Sequence, residues 1–186
     1  MPEPVADAGP GMILGAVLAG GLSTRFGSDK ALAELGGRTL LARAVDALSG
    51  LCEHVVVVGR ETAPAPTLPD WPRPGMGPLA GIAAALHLAR DEGYAAVLTC
   101  GVDSAHLPDD LLDLLGAAPA CLADQPVIGL WPPSAADRIE AILTGEERHS
   151  AYHFAEAVGA RMVSLARQPD NINTPADLAA AQDRKF

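Results

Sequence analysis

Residues 18–30 read LAGGLSTRFGSDK, two adjacent glycines at the end of the chain's first apolar run, with a lysine nine residues after the second. Gly20 and Gly21 leave backbone N–H groups open to a close-approaching anion, and Arg25 and Lys30 supply positive charge. The stretch is not a Walker A loop, because that pattern places a glycine directly before the lysine and Asp29 stands there. It is not G-x-G-x-x-G either. Taken alone, the residues fit a phosphate-holding loop and an ordinary glycine-rich strand-to-helix turn equally well.

The run before the loop, ILGAVLAG, is a continuous apolar stretch of strand length. The same signature recurs at HVVVVG (54–59), AAVLTC (95–100) and PVIGLW (126–131), and more weakly at ARMVSL (160–165). Such runs suit strands buried on both faces, as in a parallel sheet. Between them, helical spacing covers 39–51, 78–93, 108–118, 135–145 and 174–186, with Pro108 and Pro175 placed as first-turn prolines. Strand and helix alternate, which predicts a doubly wound, three-layer α/β/α fold on a mostly parallel sheet. Residues 61–78, carrying six prolines, are the one long irregular segment and read as a surface loop near a ligand.

With 186 residues the chain fits one domain, assigned to 12–186 behind an unstructured tail at 1–11. A net charge of −10 argues against a nucleic-acid surface, so an anionic ligand must be met by local positive charge. Arg138, Arg148, Arg161 and Arg167 are weak candidates for such a patch. Cys52, Cys100 and Cys121 are widely spaced and suggest neither a disulfide framework nor a metal site. No apolar run reaches membrane-spanning length and the N-terminus lacks a basic leader, so a cytoplasmic location without membrane partners is expected.

In an open parallel sheet, ligands bind beyond the carboxyl ends of the strands. Three stretches fall there: the opening loop, GMGPLAGI (75–82) and CGVDSAHLPDD (100–110). Gly77 to Gly81 present unencumbered amides, or simply start an alanine-rich helix. Asp103 ends a buried strand, where one carboxylate can hold Mg²⁺ while phosphates and water complete the octahedron, or where it serves the following helix. In NINTPADL, Asn173 or Thr174 caps a helix before Pro175, and Asn171 and Asn173 alternate so that both can reach a site. His149 and His153 are spaced i, i+4, but without the HExxH glutamate they make a poor metal pair.

Taken together and in order, LAGGLSTRFGSDKAL, GPLAGI, an aspartate followed by xxxLP, and NINTPADL resemble the molybdenum cofactor guanylyltransferases, the MobA family. The resemblance covers the chain from about residue 13 onward. It implies a Rossmann-like nucleotidyltransferase fold and the transfer of GMP from GTP to Mo-molybdopterin, releasing pyrophosphate. By that resemblance Leu18, Ala19, Gly20 and Gly21 line the guanine and ribose, and Arg25 and Lys30 bind the triphosphate. Asp70 contacts the nucleotide, Pro78, Leu79, Ala80 and Gly81 frame the base, and Asp103 holds Mg²⁺. Gln125, Asn171 and Asn173 fall on the acceptor side. Cofactor-insertion proteins and molybdoenzyme apoproteins are the implied recipients of the product.

The chain departs from the family pattern in three places. DSAHLP replaces DTPFLP, Val58 stands where an asparagine often contacts nucleotide, and Phe26 replaces a methionine. Two same-fold rivals are a CTP-dependent molybdopterin cytidylyltransferase and a sugar-phosphate nucleotidylyltransferase; the LAGG and GPLAGI motifs favour guanine over the first, and enzymes of the second kind are generally longer. A rival of another class is a non-catalytic nucleotide-binding module on the same fold.

Overall fold

The computed structural model describes residues 11–21, 26–104 and 106–184. The chain enters through β1 (Ile13–Leu18), which stops at the double glycine. A one-turn 3-10 helix at Lys30–Leu32 leads to a small hairpin, β2 (Glu34–Leu35) and β3 (Arg38–Thr39), and then to α1 (Leu40–Ser49). There follow β4 (His54–Val58), β5 (Thr67–Leu68), α2 (Pro78–Glu92), β6 (Ala96–Gly101) and α3 (Leu111–Leu115). The remainder is β7 (Ala120–Leu122), β8 (Gly129–Trp131), α4 (Ala136–Thr144), α5 (Ala151–Ala157), β9 (Arg161–Val163) and α6 (Pro175–Asp183).

Local chemistry accounts for these boundaries. The Thr39 hydroxyl accepts the Ala42 amide at 3.1 Å and so starts α1, which buries Leu40, Leu41, Ala44, Val45 and Leu48 on one face. α2 begins on Gly77, at φ 75°, with Pro78 in its first turn, and ends on the left-handed Gly93, at φ 78°. Its run of alanines lets it lie close between the sheet and α4, buried nearly all round. At α6 a reciprocal cap forms: the Thr174 hydroxyl accepts the Asp177 amide at 3.1 Å, and the Asp177 carboxylate accepts the Thr174 amide at 2.9 Å.

A seven-stranded sheet in the order β5-β4-β1-β6-β8-β7-β9 forms the middle layer. Its two faces carry separate cores. One packs Leu14, Val56 and Val97 against α2, α4 and α5, with Trp131 and Phe154 at its centre. The other packs Val17, Val57 and Leu98 against α1 and α3. A third, smaller cluster of Phe26, Leu35, Leu40, Ile172 and Ala181 lies beneath α6. Burial of each large aliphatic side chain contributes roughly 1.5–3 kcal/mol.

The three-layer α/β architecture and the mostly parallel sheet are as expected, with one reversal. β8 runs antiparallel to both β6 and β7, pairing Thr99 with Gly129 and Val97 with Trp131. The reversed strand therefore begins where β6 ends, and it delivers residues 125–127 to the same rim as the double glycine. Thr99, buried inside an apolar strand, fastens this junction. Its hydroxyl donates to the Val127 carbonyl at 2.6 Å and accepts the Trp131 indole N–H at 2.9 Å.

Smaller differences have local causes. The strand expected from 126 starts at 129, because the Ile128 amide closes a turn onto the Gln125 carbonyl at 2.9 Å. The helix expected over 108–118 is confined to Leu111–Leu115, stopped by Gly116 at φ 66°. Within the proline-rich loop, Thr67 and Leu68 pair with Val57 and Val58 and extend the sheet by one strand. α5, capped by the Ser150 hydroxyl, and the three-residue β7 were not expected. Among the described residues, no helix is long and apolar enough to cross a membrane.

Candidate active site

The strand order reverses between β1 and β6, since β4 and β5 lie on one side of β1 and all later strands on the other. Such a switch point opens a crevice beyond the carboxyl ends of the two strands. A cavity of about 460 Å³ occupies that position. Leu18, Ala19, Gly20 and Gly21 form one wall and Gly101, Val102 and Asp103 the opposite one. Gly75, Gly77, Pro78 and Gly81 come from the start of α2, Lys30 from the 3-10 turn and Val127 from the turn before β8.

The two glycines of the opening loop differ in what they do. A Cβ on Gly20 would fall 2.7 Å from Asp70 Oδ2, and one on Gly59 would fall 2.5 Å from the Gly20 Cα. The β1 and β4 loops thus cross with bare backbone in contact, and Gly59, at φ 89°, adopts a conformation suited to glycine. A Cβ on Gly21 would meet no atom of the described residues within 4 Å, and Gly21 lines the open cavity. Gly81 is bare because a Cβ would press on Leu18 at 2.8 Å.

Lys30 and Asp103 face each other across the cavity floor, with Nζ to Oδ2 at 3.7 Å and side chains 16% and 32% exposed. Asn173 Oδ1 accepts from the same ammonium at 3.4 Å, joining residues 143 apart in sequence. The Asp29 carboxylate caps the turn that carries Lys30 by accepting the Ala31 amide at 3.2 Å. The segment bearing the two asparagines is stitched to the Asp103 loop: Ile172 N–H donates to the Asp103 carbonyl at 2.9 Å, and Ser104 bridges Asn171.

Asp70 reaches the cavity from the proline-rich loop, which is tied to α2 by the Trp71 amide donating to the Ala80 carbonyl at 3.0 Å. Its carboxyl lies between Gly20 and Gly81. Burial pushes its pKa above the ordinary carboxylate value, and no donor among the described residues offsets that cost. A half-buried acceptor of this kind suits a ligand that brings its own N–H groups.

The structure brings together Leu18, Ala19, Gly20, Gly21, Lys30, Asp70, Pro78, Gly81, Asp103 and Asn173. Leu79 and Ala80 do not join them: both are fully buried in the core beneath the first turn of α2. Gln125 stands off the main cavity, where its side-chain amide donates to the Pro169 carbonyl at 2.8 Å and supports the stretch leading into Asn171. Asn171 is exposed beside that stretch. Arg25 lies outside the described residues.

The arginine patch is not assembled. Arg138 pairs with Glu147 at 2.9 Å, and Arg161 donates to the Leu115 carbonyl. His153 also pairs with Glu147, at 2.6 Å, and His106 faces Asp170 at 3.4 Å. Among the described residues no group of three or more His, Cys, Asp or Glu is placed to hold a metal. An ion at Asp103 would therefore depend on ligand oxygens, which suits Mg²⁺ bound through one carboxylate, phosphates and water. Sequence reasoning overlooked Val127 and Arg60. Arg60 had a usable signal, since it follows a buried strand at the end where ligands bind.

Comparison with known proteins agrees with this geometry. Residues 15–163 match the family described as the MobA-like NTP transferase domain. The molybdenum cofactor guanylyltransferase of Acidiphilium cryptum is 38% identical over 96% of this chain and 98% of its own length. That of Rhodobacter capsulatus is 38% identical over 92% and 96%. Among solved structures, molybdopterin-guanine dinucleotide biosynthesis protein A from Archaeoglobus fulgidus has the same fold, with a TM-score of 0.73 and 23% identity over 92% of this chain and 97% of that one. By the family match over residues 15–163 and by these relatives, the chain belongs to the MobA-like NTP transferase family and is a nucleotidyltransferase.

Proposed function

We propose that this chain transfers GMP from GTP to the terminal phosphate of Mo-molybdopterin, with release of pyrophosphate. The observation that carries the reading is the Asp70 carboxylate, half-buried between two glycines and supplied with no donor by the described residues. Guanine offers adjacent N1–H and N2–H₂ donors that a carboxylate accepts in pairs; adenine, cytosine and uracil offer no such pair of adjacent donors. The base then lies against the bare faces of Gly20 and Gly81, and the open side of Gly21 admits the ribose and α-phosphate.

The triphosphate runs toward Lys30, whose ammonium binds its oxygens, with Arg25 as a second cation by family resemblance. Asp103 would hold Mg²⁺, which when bound neutralises charge on the phosphates. Asn173 keeps Lys30 directed at the floor of the cavity. The acceptor phosphate is already ionised, so no protein nucleophile or general base is required. Attack at the α-phosphorus is in line, and the chain's contribution is positioning and charge neutralisation. Gln125 and Asn171 border the acceptor side through the 169–173 stretch. Product handover to cofactor-insertion proteins or molybdoenzyme apoproteins, and a cytoplasmic setting, complete the proposal.

Thermal stabilisation by nucleotides in the presence of Mg²⁺ tests it. GTP should raise the melting temperature well above ATP, CTP or UTP, by mass action on the folded state. Equal shifts with GTP and CTP would remove the guanine assignment and favour the cytidylyl rival. Selective GTP binding without pyrophosphate release in the presence of molybdopterin would favour a binding module.

A further inference from the structure

The turn that presents Lys30 is held from outside the main cavity. Arg60, two residues beyond β4, donates two parallel hydrogen bonds to the Asp29 carboxylate, Nη1 to Oδ1 at 3.0 Å and Nη2 to Oδ2 at 2.7 Å. Asp29 lines both the main cavity and a second one on the far side of the Ala19–Gly21 wall. Arg60 lines only the second.

This pairing matters because of the charge around it. Among the described residues lining the main cavity, Asp29, Asp70 and Asp103 are acidic and Lys30 is the basic one. In the proposed function, Mg²⁺ offsets Asp103 and the base's donors satisfy Asp70. Asp29 has neither. An unmasked carboxylate next to Lys30 would repel a triphosphate and compete for the ammonium.

We infer that Arg60 is a positioning residue for triphosphate binding: it neutralises Asp29 at the rim of the phosphate site and fixes the turn that aims Lys30. The guanidinium fork suits the task, since it matches a carboxylate in two places and stays charged. The inference rests on the proposed function only in that Lys30 binds a nucleoside triphosphate; it does not depend on which base is read.

The test measures nucleotide binding by calorimetry and pyrophosphate release for the wild type, Arg60→Met, Arg60→Lys and the double variant Arg60→Met/Asp29→Asn. Arg60→Met should weaken GTP binding about tenfold, expressed in KM with kcat changed less than about threefold. Arg60→Lys, which keeps charge but loses the fork, should lie between it and the wild type. The double variant should regain most of the lost affinity, because the exposed charge is gone. A purely structural clasp predicts no such recovery.

Unchanged KM in Arg60→Met, or a double variant as weak as the single one, would overturn the inference. If Arg60→Met does not fold, Arg60→Gln supplies the neutral variant. Should the wild type prefer another nucleotide, the guanine reading fails, and the same series measured with that nucleotide still decides the role of Arg60.

Discussion

The two halves of the sheet are built differently. From β5 to β6 the strands are parallel, and β1, β4 and β6 are five or six residues long. β8, β7 and β9 have three residues each, and β8 is reversed. The first half ends in glycines of which Gly20, Gly59 and Gly101 are closely approached by neighbouring atoms, and in the proposed function it forms the nucleotide side. The second half reaches the site through turns, with Gln125 holding Pro169 and Ser104 bridging Asn171. On that proposal, a strand-borne nucleotide floor beside a loop-borne acceptor wall would let one fold keep its triphosphate chemistry while its acceptor changes.

Substitutions on the two sides should therefore differ in size and kind. Lys30→Met should lower turnover by about a thousandfold, measured as pyrophosphate release, because it removes the cation at the cavity floor. A loss below about tenfold would take Lys30 out of the phosphate site. Gly59→Ala should come next: with the Gly20 backbone 2.5 Å from the new Cβ and φ at 89°, it should cost roughly 2–4 kcal/mol in denaturant unfolding. Gly21→Ala should leave unfolding nearly unchanged and weaken nucleotide binding instead.

Asp70→Asn should cut kcat/KM for GTP by about 10- to 100-fold and erase most of the preference over UTP. It should also stabilise the nucleotide-free protein. Burial raises the Asp70 pKa in the folded state, so its charged form opposes folding at neutral pH. That cost is absent below the unfolded carboxylate value of 3.8 and grows as pH rises through the raised folded value. The melting temperature of the variant should accordingly exceed that of the wild type at pH 7 and match it near pH 3. For the same reason, wild-type affinity for GTP should begin to fall at a higher pH than for an unburied carboxylate.

The smallest effect belongs to the second half. Gln125→Leu should raise KM for the acceptor by about three- to tenfold and leave KM for GTP within about twofold. A GTP effect as large as the acceptor effect would mean that the two halves are not independent.

Legibility in the sequence follows the same division. The HVVVVG and AAVLTC runs announce β4 and β6, because strands covered on both faces need continuous apolar residues. Ala-Cys-Leu at 120–122 is too short to carry a period, and no local pattern encodes the direction in which β8 pairs. The approach of Asn173 to Lys30 joins residues 143 apart, and neither local pattern nor motif resemblance paired them. α5 was legible in principle: Ser150 caps it, and Ala151, Phe154 and Ala155 repeat at helical spacing. His149 and His153, at i, i+4 but without the HExxH glutamate, read as a poor metal pair, and His153 instead serves an ion pair with Glu147. Leu79 and Ala80 are buried beneath the first turn of α2, and the GPLAGI motif does not reveal which residues of a helix's first turn face inward.

The contact between Gly59 and Gly20 has a consequence for how such proteins diversify. A side chain at Gly59 would press on the Gly20 backbone at 2.5 Å, a barrier that no nearby flexible group can relieve, whereas one at Gly20 would first have to push aside the Asp70 carboxylate. Variation is steered past this crossing and toward positions such as Gly21, where a new methyl group meets no atom of the described residues and, on the proposed function, alters only the space left for the nucleotide.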